Sequence, residues 1–124
     1  MNFDGYVRNG NATIGFVIRN ADDNPLFAAN RMIGNANVLV AEATALRDGL
    51  QTALLHHYSN IVVEGDSKLL IDCIQGSYEV PWRIRLMIQD IKQLAQQFEV
   101  IIFRHIYREA NFVTDHLTTL AHNS

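Results

Sequence analysis

Four acidic residues are placed where carboxylates are either expensive or useful. Asp4 lies inside the otherwise apolar opening segment, Glu42 begins a helical pattern, Asp66 follows the β-branched run Ile61-Val62-Val63, and Asp115 sits early in the last helical pattern. A carboxylate inside a strand is costly unless it is paired or bound to a cation, so Asp4 in particular asks for a partner. The other three admit ordinary readings one at a time: an acid in a helix's first turn complements the dipole, and an acid after a strand serves as a cap or turn. Converging in space, they would instead form an all-oxygen site for a hard divalent ion. His105 is ten positions before Asp115; a histidine at a strand end is ordinarily a hydrogen-bonded structural residue, but beside such a site it can move a proton. His56, His57, His116 and His122 form no H-x-x-x-H pair with a partner carboxylate, and we assign them no metal.

The elements that must position these groups follow from periodicity. Phe3 to Arg8 and Ile14 to Arg19 flank Asn9-Gly10, a strong two-residue turn signal. After the turn-forming stretch Ala21 to Pro25, Leu26 to Ile33 supplies a third strand, which makes an antiparallel meander. From Val38 the apolar positions Leu39, Ala43, Leu46, Leu50, Ala53 and Leu54 recur at helical spacing. Ile61 to Val63 predicts a strand covered on both faces, Ser67 caps a helix that stops at Gly76, and Pro81-Trp82 opens a longer helix through Phe98. Val100 to Phe103 predicts a second buried strand, and Asn111 precedes a last helix through Ala121. The order βββαβααβα implies an α/β fold with a mixed five-stranded sheet, its first three strands antiparallel, and helices on both faces.

Composition sets the frame for that fold. The 124 residues, 48% of them hydrophobic and 19% charged, suit one globular domain spanning 1–124. One cysteine, Cys73, excludes a disulfide framework and a thiolate cluster and fits an intracellular setting. No apolar run approaches the roughly 18 residues of a membrane span, and the first residues lack a signal-peptide pattern, so no membrane partner is expected. A net charge of −3 taken at face value argues against nucleic acid, yet the four acids account for more than all of it and leave the rest of the chain slightly basic. Bound cations would reverse the sign of the acidic centre.

Asn2-Phe3-Asp4-Gly5, Ala41-Glu42-Ala43-Thr44-Ala45-Leu46, Val63-Glu64-Gly65-Asp66-Ser67 and the stretch from His105 through Asp115 to Leu117 resemble, in order, the four motif blocks of type 1 RNase H. The match extends over essentially the whole chain and looks closest to the short domains of plant retroelement-derived proteins. The resemblance implies an RNase H-like fold and a hydrolase that cuts the RNA strand of RNA–DNA hybrids endonucleolytically with two Mg²⁺ ions, Mn²⁺ substituting. It implies Asp4 bridging both ions, Glu42 and Asp66 on the leaving-group side, Asp115 on the nucleophile side, and His105 assisting proton transfer or product release. Gly5, Asn11, Trp82, Arg83, Arg85 and Asn111 are the implied substrate contacts, although Trp82 could equally be core and Asn111 a helix cap. Lys68, Arg104 and Arg108 would extend a basic rim.

Two features depart from the family pattern. Asp115 is followed by His-Leu-Thr-Thr-Leu-Ala where Leu-Ala usually comes sooner, and the short connection before Trp82 leaves no basic protrusion, which lowers the expected affinity for hybrid. The short lead-in to Asp4 suggests a domain excised from a larger polypeptide, and a monomer is expected. Two other readings compete: a catalytically weak nucleic-acid-binding module of a retroelement-derived protein, and a 3′→5′ exonuclease. The exonucleases usually carry Asp-x-Glu on the first strand, where this chain has Asp4-Gly5-Tyr6.

Overall fold

A computed structural model describes residues 1–19, 25–76 and 79–107. Along them run β1 (Asn2–Arg8), β2 (Asn11–Arg19), β3 (Pro25–Asn35), α1 (Val38–Leu55), β4 (Asn60–Gly65), α2 (Lys68–Gln75), a 3₁₀ turn (Trp82–Ile84) that leads into α3 (Arg85–Ala95), and β5 (Val100–His105). This is the expected order as far as β5. The helix expected after Asn111 lies outside the described residues, and with it Arg108, Asn111 and Asp115.

The sheet order is β3-β2-β1-β4-β5. β1–β2 and β2–β3 pair antiparallel, whereas β1–β4 and β4–β5 pair parallel. The first hairpin closes on Asn9 (φ 53°) and Gly10 (φ 80°), the two consecutive left-handed residues that a tight turn matched to strand twist requires. The two parallel crossovers step in the same direction along the sheet, so right-handed connections put their helices on one face. Accordingly α1 crosses β1 and β2, and α1, α2 and α3 touch one another in one layer.

Local signals set the helix limits. The Asn37 side chain accepts the Val40 N–H at 2.8 Å to start α1. Ser67 Oγ accepts from Leu70 N at 3.3 Å to start α2, and Gly76 in the left-handed region (φ 79°) ends it. Between sheet and helices Phe3, Ile14, Phe16, Leu46, Leu50, Leu70, Ile71, Ile84, Ile88 and Ile91 form the core. Burying each such side chain contributes about 1.5–3 kcal/mol.

Two expectations need correction. α1 is not merely amphipathic: Ala41 to Leu46 are all buried, because its first two turns lie between the sheet and the other helices, and three alanines allow that close approach. Among the described residues, no element covers the second face of β4 and β5. β5 is an edge strand with Val100 and Ile102 each 48% exposed, and β4 buries Ile61 and Val63 but leaves Val62 half-exposed. A short β-branched run reports strand propensity; it does not report how many layers cover the strand.

Candidate metal centre

The parallel register between β1 and β4 assembles the site. Asn2 pairs with Glu64, so Asp4 and Asp66, each two residues further on, arrive at the same level. Among the described residues the β1–β4 pairing is confined to that position, two residues short of the two carboxylates.

Gly5 brings in the third acid. A Cβ on Gly5 would lie 2.6 Å from the Ala41 carbonyl carbon, the Ala41 Cβ and the Glu42 nitrogen, so only glycine lets α1 sit this close to β1. Ligand oxygens of Asp4, Glu42 and Asp66 consequently lie within 4.8 Å of one another. Asp4 is 4% exposed and Glu42 8%. At such separations each pair of ionised carboxylates repels by about 3 kcal/mol, taking an effective dielectric of 20. Three convergent carboxylate donors, two of them buried, suit a hard divalent cation such as Mg²⁺ or Mn²⁺, whose charge would offset that repulsion.

His105 ends β5 in register with Gly65, directly beside Asp66. Its Nε2 lies 3.2 Å from the Asp66 carbonyl oxygen. A carbonyl can only accept, so Nε2 carries the hydrogen in this bond and Nδ1 is the basic nitrogen of the neutral ring. Glu42, Asp66, Ser67, His105, Ile106 and Tyr107 line a cavity of about 300 Å³ beside the cluster. The sequence reading missed Tyr107; its only signal was its position two residues beyond His105 on an extended segment.

The other predicted site residues lie apart from this cavity. Gly5 is a packing residue beneath α1, which is its evident structural role. Asn11 is exposed, in register with Arg8, four register steps along the hairpin from the Asp4–Gly15 pair and thus roughly 13 Å away. Trp82 is 75% exposed, which removes the core alternative, and the Arg83 guanidinium lies 5.5 Å from its ring centroid. Arg85 is exposed as well. Of the other basic residues considered, Lys68 pairs with Asp72 at 2.9 Å and Arg104 with Glu64 at 3.8 Å.

The reverse transcriptase-like family matches residues 2–121. The chain belongs to that family. Its fold and that of RNase H1 from Halobacterium salinarum NRC-1 agree with a TM-score of 0.94 at 26% identity, covering 98% of this chain and 95% of that one. The N-terminal RNase H domain of rv2228c from Mycobacterium tuberculosis is 30% identical, with a TM-score of 0.92 and coverage of 98% and 90%. LC11-RNase H1, solved in complex with an RNA/DNA hybrid, is 27% identical, with a TM-score of 0.89 and coverage of 97% and 93%. Prototype foamy virus protease–reverse transcriptase shares the fold at 19% identity and a TM-score of 0.72, this chain covering 20% of that one. No curated protein matches the chain. Membership of this RNase H-type family agrees with the mixed sheet and with the cluster of Asp4, Glu42 and Asp66, while Asp115 of the fourth motif block lies outside the described residues. Among the described residues no helix is long and apolar enough to cross a membrane.

Proposed function

We propose that this chain is an endonuclease that hydrolyses the RNA strand of RNA–DNA hybrids with divalent metal ions. The observation that carries the reading is the convergence of Asp4, Glu42 and Asp66 within 4.8 Å on an RNase H-type sheet. The complex of LC11-RNase H1 with an RNA/DNA hybrid supports the choice of substrate.

Two bound Mg²⁺ ions, or Mn²⁺ in their place, would supply Lewis acidity at the scissile phosphate and lower the pKa of the attacking water. Asp4, Glu42 and Asp66 would hold them, with Asp115 completing the donor set. The protein's own contribution is rigidity: β1, β4 and α1 fix the three carboxylates before substrate arrives, so little reorganisation is needed at the moment of reaction. His105, its Nε2–H committed to the Asp66 carbonyl, keeps Nδ1 as the nitrogen that accepts a proton. Discrimination between RNA and DNA would rest on 2′-hydroxyls in the shallow minor groove, so base specificity is weak. The motif blocks further support a retroelement-derived domain, and the single Cys73 an intracellular setting.

The test offers RNA–DNA hybrid, double-stranded RNA and double-stranded DNA to the protein under one Mg²⁺ condition and again with a chelator. The RNA strand of the hybrid is expected to be cut, with cleavage lost on chelation. Cleavage of duplex DNA at the same rate as the hybrid's RNA strand would overturn the assignment.

A further inference from the structure

Among the described residues the His105 ring makes one hydrogen bond, at Nε2. Its bond from Nε2 to the Asp66 carbonyl is 3.2 Å long, at the long end of the hydrogen-bond range, and the residue is exposed at the end of an edge strand. One such bond leaves the imidazole free to pivot about the line between Nε2 and the oxygen. A second contact stands against that pivot: the Tyr107 ring meets the His105 ring edge-on, with centroids 6.2 Å apart and planes at 66°.

The backbone explains why the two rings meet. Ile106 N donates to Gly65 O at 2.9 Å, which carries the parallel ladder one residue beyond the end of β5 and keeps the chain extended. In an extended segment residues i and i+2 share a side, so His105 and Tyr107 project together. Tyr107 is 80% exposed, so burial contributes little to holding it there. Its ring nevertheless lines the cavity that contains Glu42, Asp66 and His105.

We propose that Tyr107 is a positioning residue that fixes the His105 imidazole against the acidic cluster, and that it does so through its ring and not its hydroxyl. As a statement about rate the proposal rests on the hybrid-cleavage reading; as a statement about His105 geometry it does not.

The experiment therefore has two arms. In steady-state cleavage of a hybrid, Tyr107→Ala should lower kcat by about three- to tenfold, the range expected for loss of one aromatic pair, with KM unchanged. Tyr107→Phe should retain wild-type kcat, and in a His105→Ala background Tyr107→Ala should have no further effect. A rise in KM alone, a Phe variant as impaired as Ala, or an undiminished effect in the His105→Ala background would overturn the proposal, since each would place Tyr107 on the substrate. The second arm reads the His105 ring resonances by NMR in the metal-free protein: Tyr107→Ala should shift them through loss of the ring current, and Tyr107→Phe should not. Unchanged resonances in Tyr107→Ala overturn the proposal without any cleavage measurement. Failure of the wild-type protein to cut hybrid would instead count against the function proposed above, with the NMR arm still deciding the role of Tyr107.

Discussion

The acidic cluster and the Trp82–Arg85 segment are built in opposite ways. Asp4 and Glu42 are buried, and strand register together with the contact between Gly5 and α1 determines their separation. Trp82, Arg83 and Arg85 stand in solvent at the start of α3, where the Arg83 guanidinium lies over the Trp82 ring and the Arg85 backbone N–H donates to the Trp82 carbonyl. The first region concentrates like charge where geometry cannot relax; the second spreads cationic and aromatic surface where it can adapt. A centre that must present several ligands to small ions needs the first construction. Contact with a regular, charged backbone tolerates the second, because phosphate attraction acts at longer range and without strict geometry.

The strongest test of the contrast is Asp4→Asn. The substitution keeps the shape but removes one of three converging charges, so hybrid cleavage should fall by about a hundred- to a thousandfold, as expected when a transition-state electrostatic contribution is lost. The melting temperature of the metal-free protein should stay the same or rise, because carboxylate repulsion is relieved. Wild-type protein should gain thermal stability from millimolar Mg²⁺ and Asp4→Asn should gain less. Full cleavage activity in the variant would show that the centre lies elsewhere.

Gly5→Ala probes the positioning itself. The added methyl would meet backbone atoms of Ala41 and Glu42 at 2.6 Å, and backbone cannot swing aside as a flexible side chain would. Displacing α1 should cost about 1–3 kcal/mol of stability and move Glu42 away from Asp4. Urea unfolding should show the loss, and cleavage should fall by more than the unfolded fraction explains. A variant with wild-type stability and activity would mean that α1 and β1 are not held as closely as described.

Much of this was legible in the sequence. The hairpin at Asn9-Gly10, the caps Ser67 and Gly76 and the change to helical spacing at Val38 are local signals, and the structure follows each of them. The choice of Asp4, Glu42 and Asp66 was legible because motif order reports which elements carry acids. Their 4.8 Å convergence was not, since it depends on a parallel register and on a helix-to-strand approach between residues distant in sequence. Gly5 shows the same limit: its type was noticed and assigned to substrate, whereas its packing against Ala41 needed the third dimension. Burial of β5 was misjudged because Val-Ile-Ile-Phe looks the same in an edge strand as in a covered one. Trp82 was undecided for a related reason: an aromatic at a helix start has no periodic context to tell core from surface.

Exposure now decides the Trp82 question, and Trp82→Ala carries the smallest expected effect. The ring is 75% exposed, so its removal should change folding stability by no more than about 0.5 kcal/mol, the usual limit for surface substitutions. Trp82 is not among the residues lining the acidic cavity, so kcat should be unchanged. What should change is KM for hybrid, by about fivefold, since an aromatic face beside nucleic acid contributes at least about 1 kcal/mol per contact. Arg83 would also lose the ring over which its guanidinium sits, which should loosen any hold it has on the hybrid's phosphates. The salt dependence separates these contributions. Stacking releases no counterions, so the slope of log affinity against log salt should stay near the wild-type value in Trp82→Ala and flatten by about one unit in Arg83→Ala. An unchanged KM in Trp82→Ala would remove this segment from the nucleic-acid surface. A stability loss above about 2 kcal/mol would mean that Trp82 packs in solution, and the contrast between a buried, rigid centre and an exposed, adaptable arm would then fail on its second half.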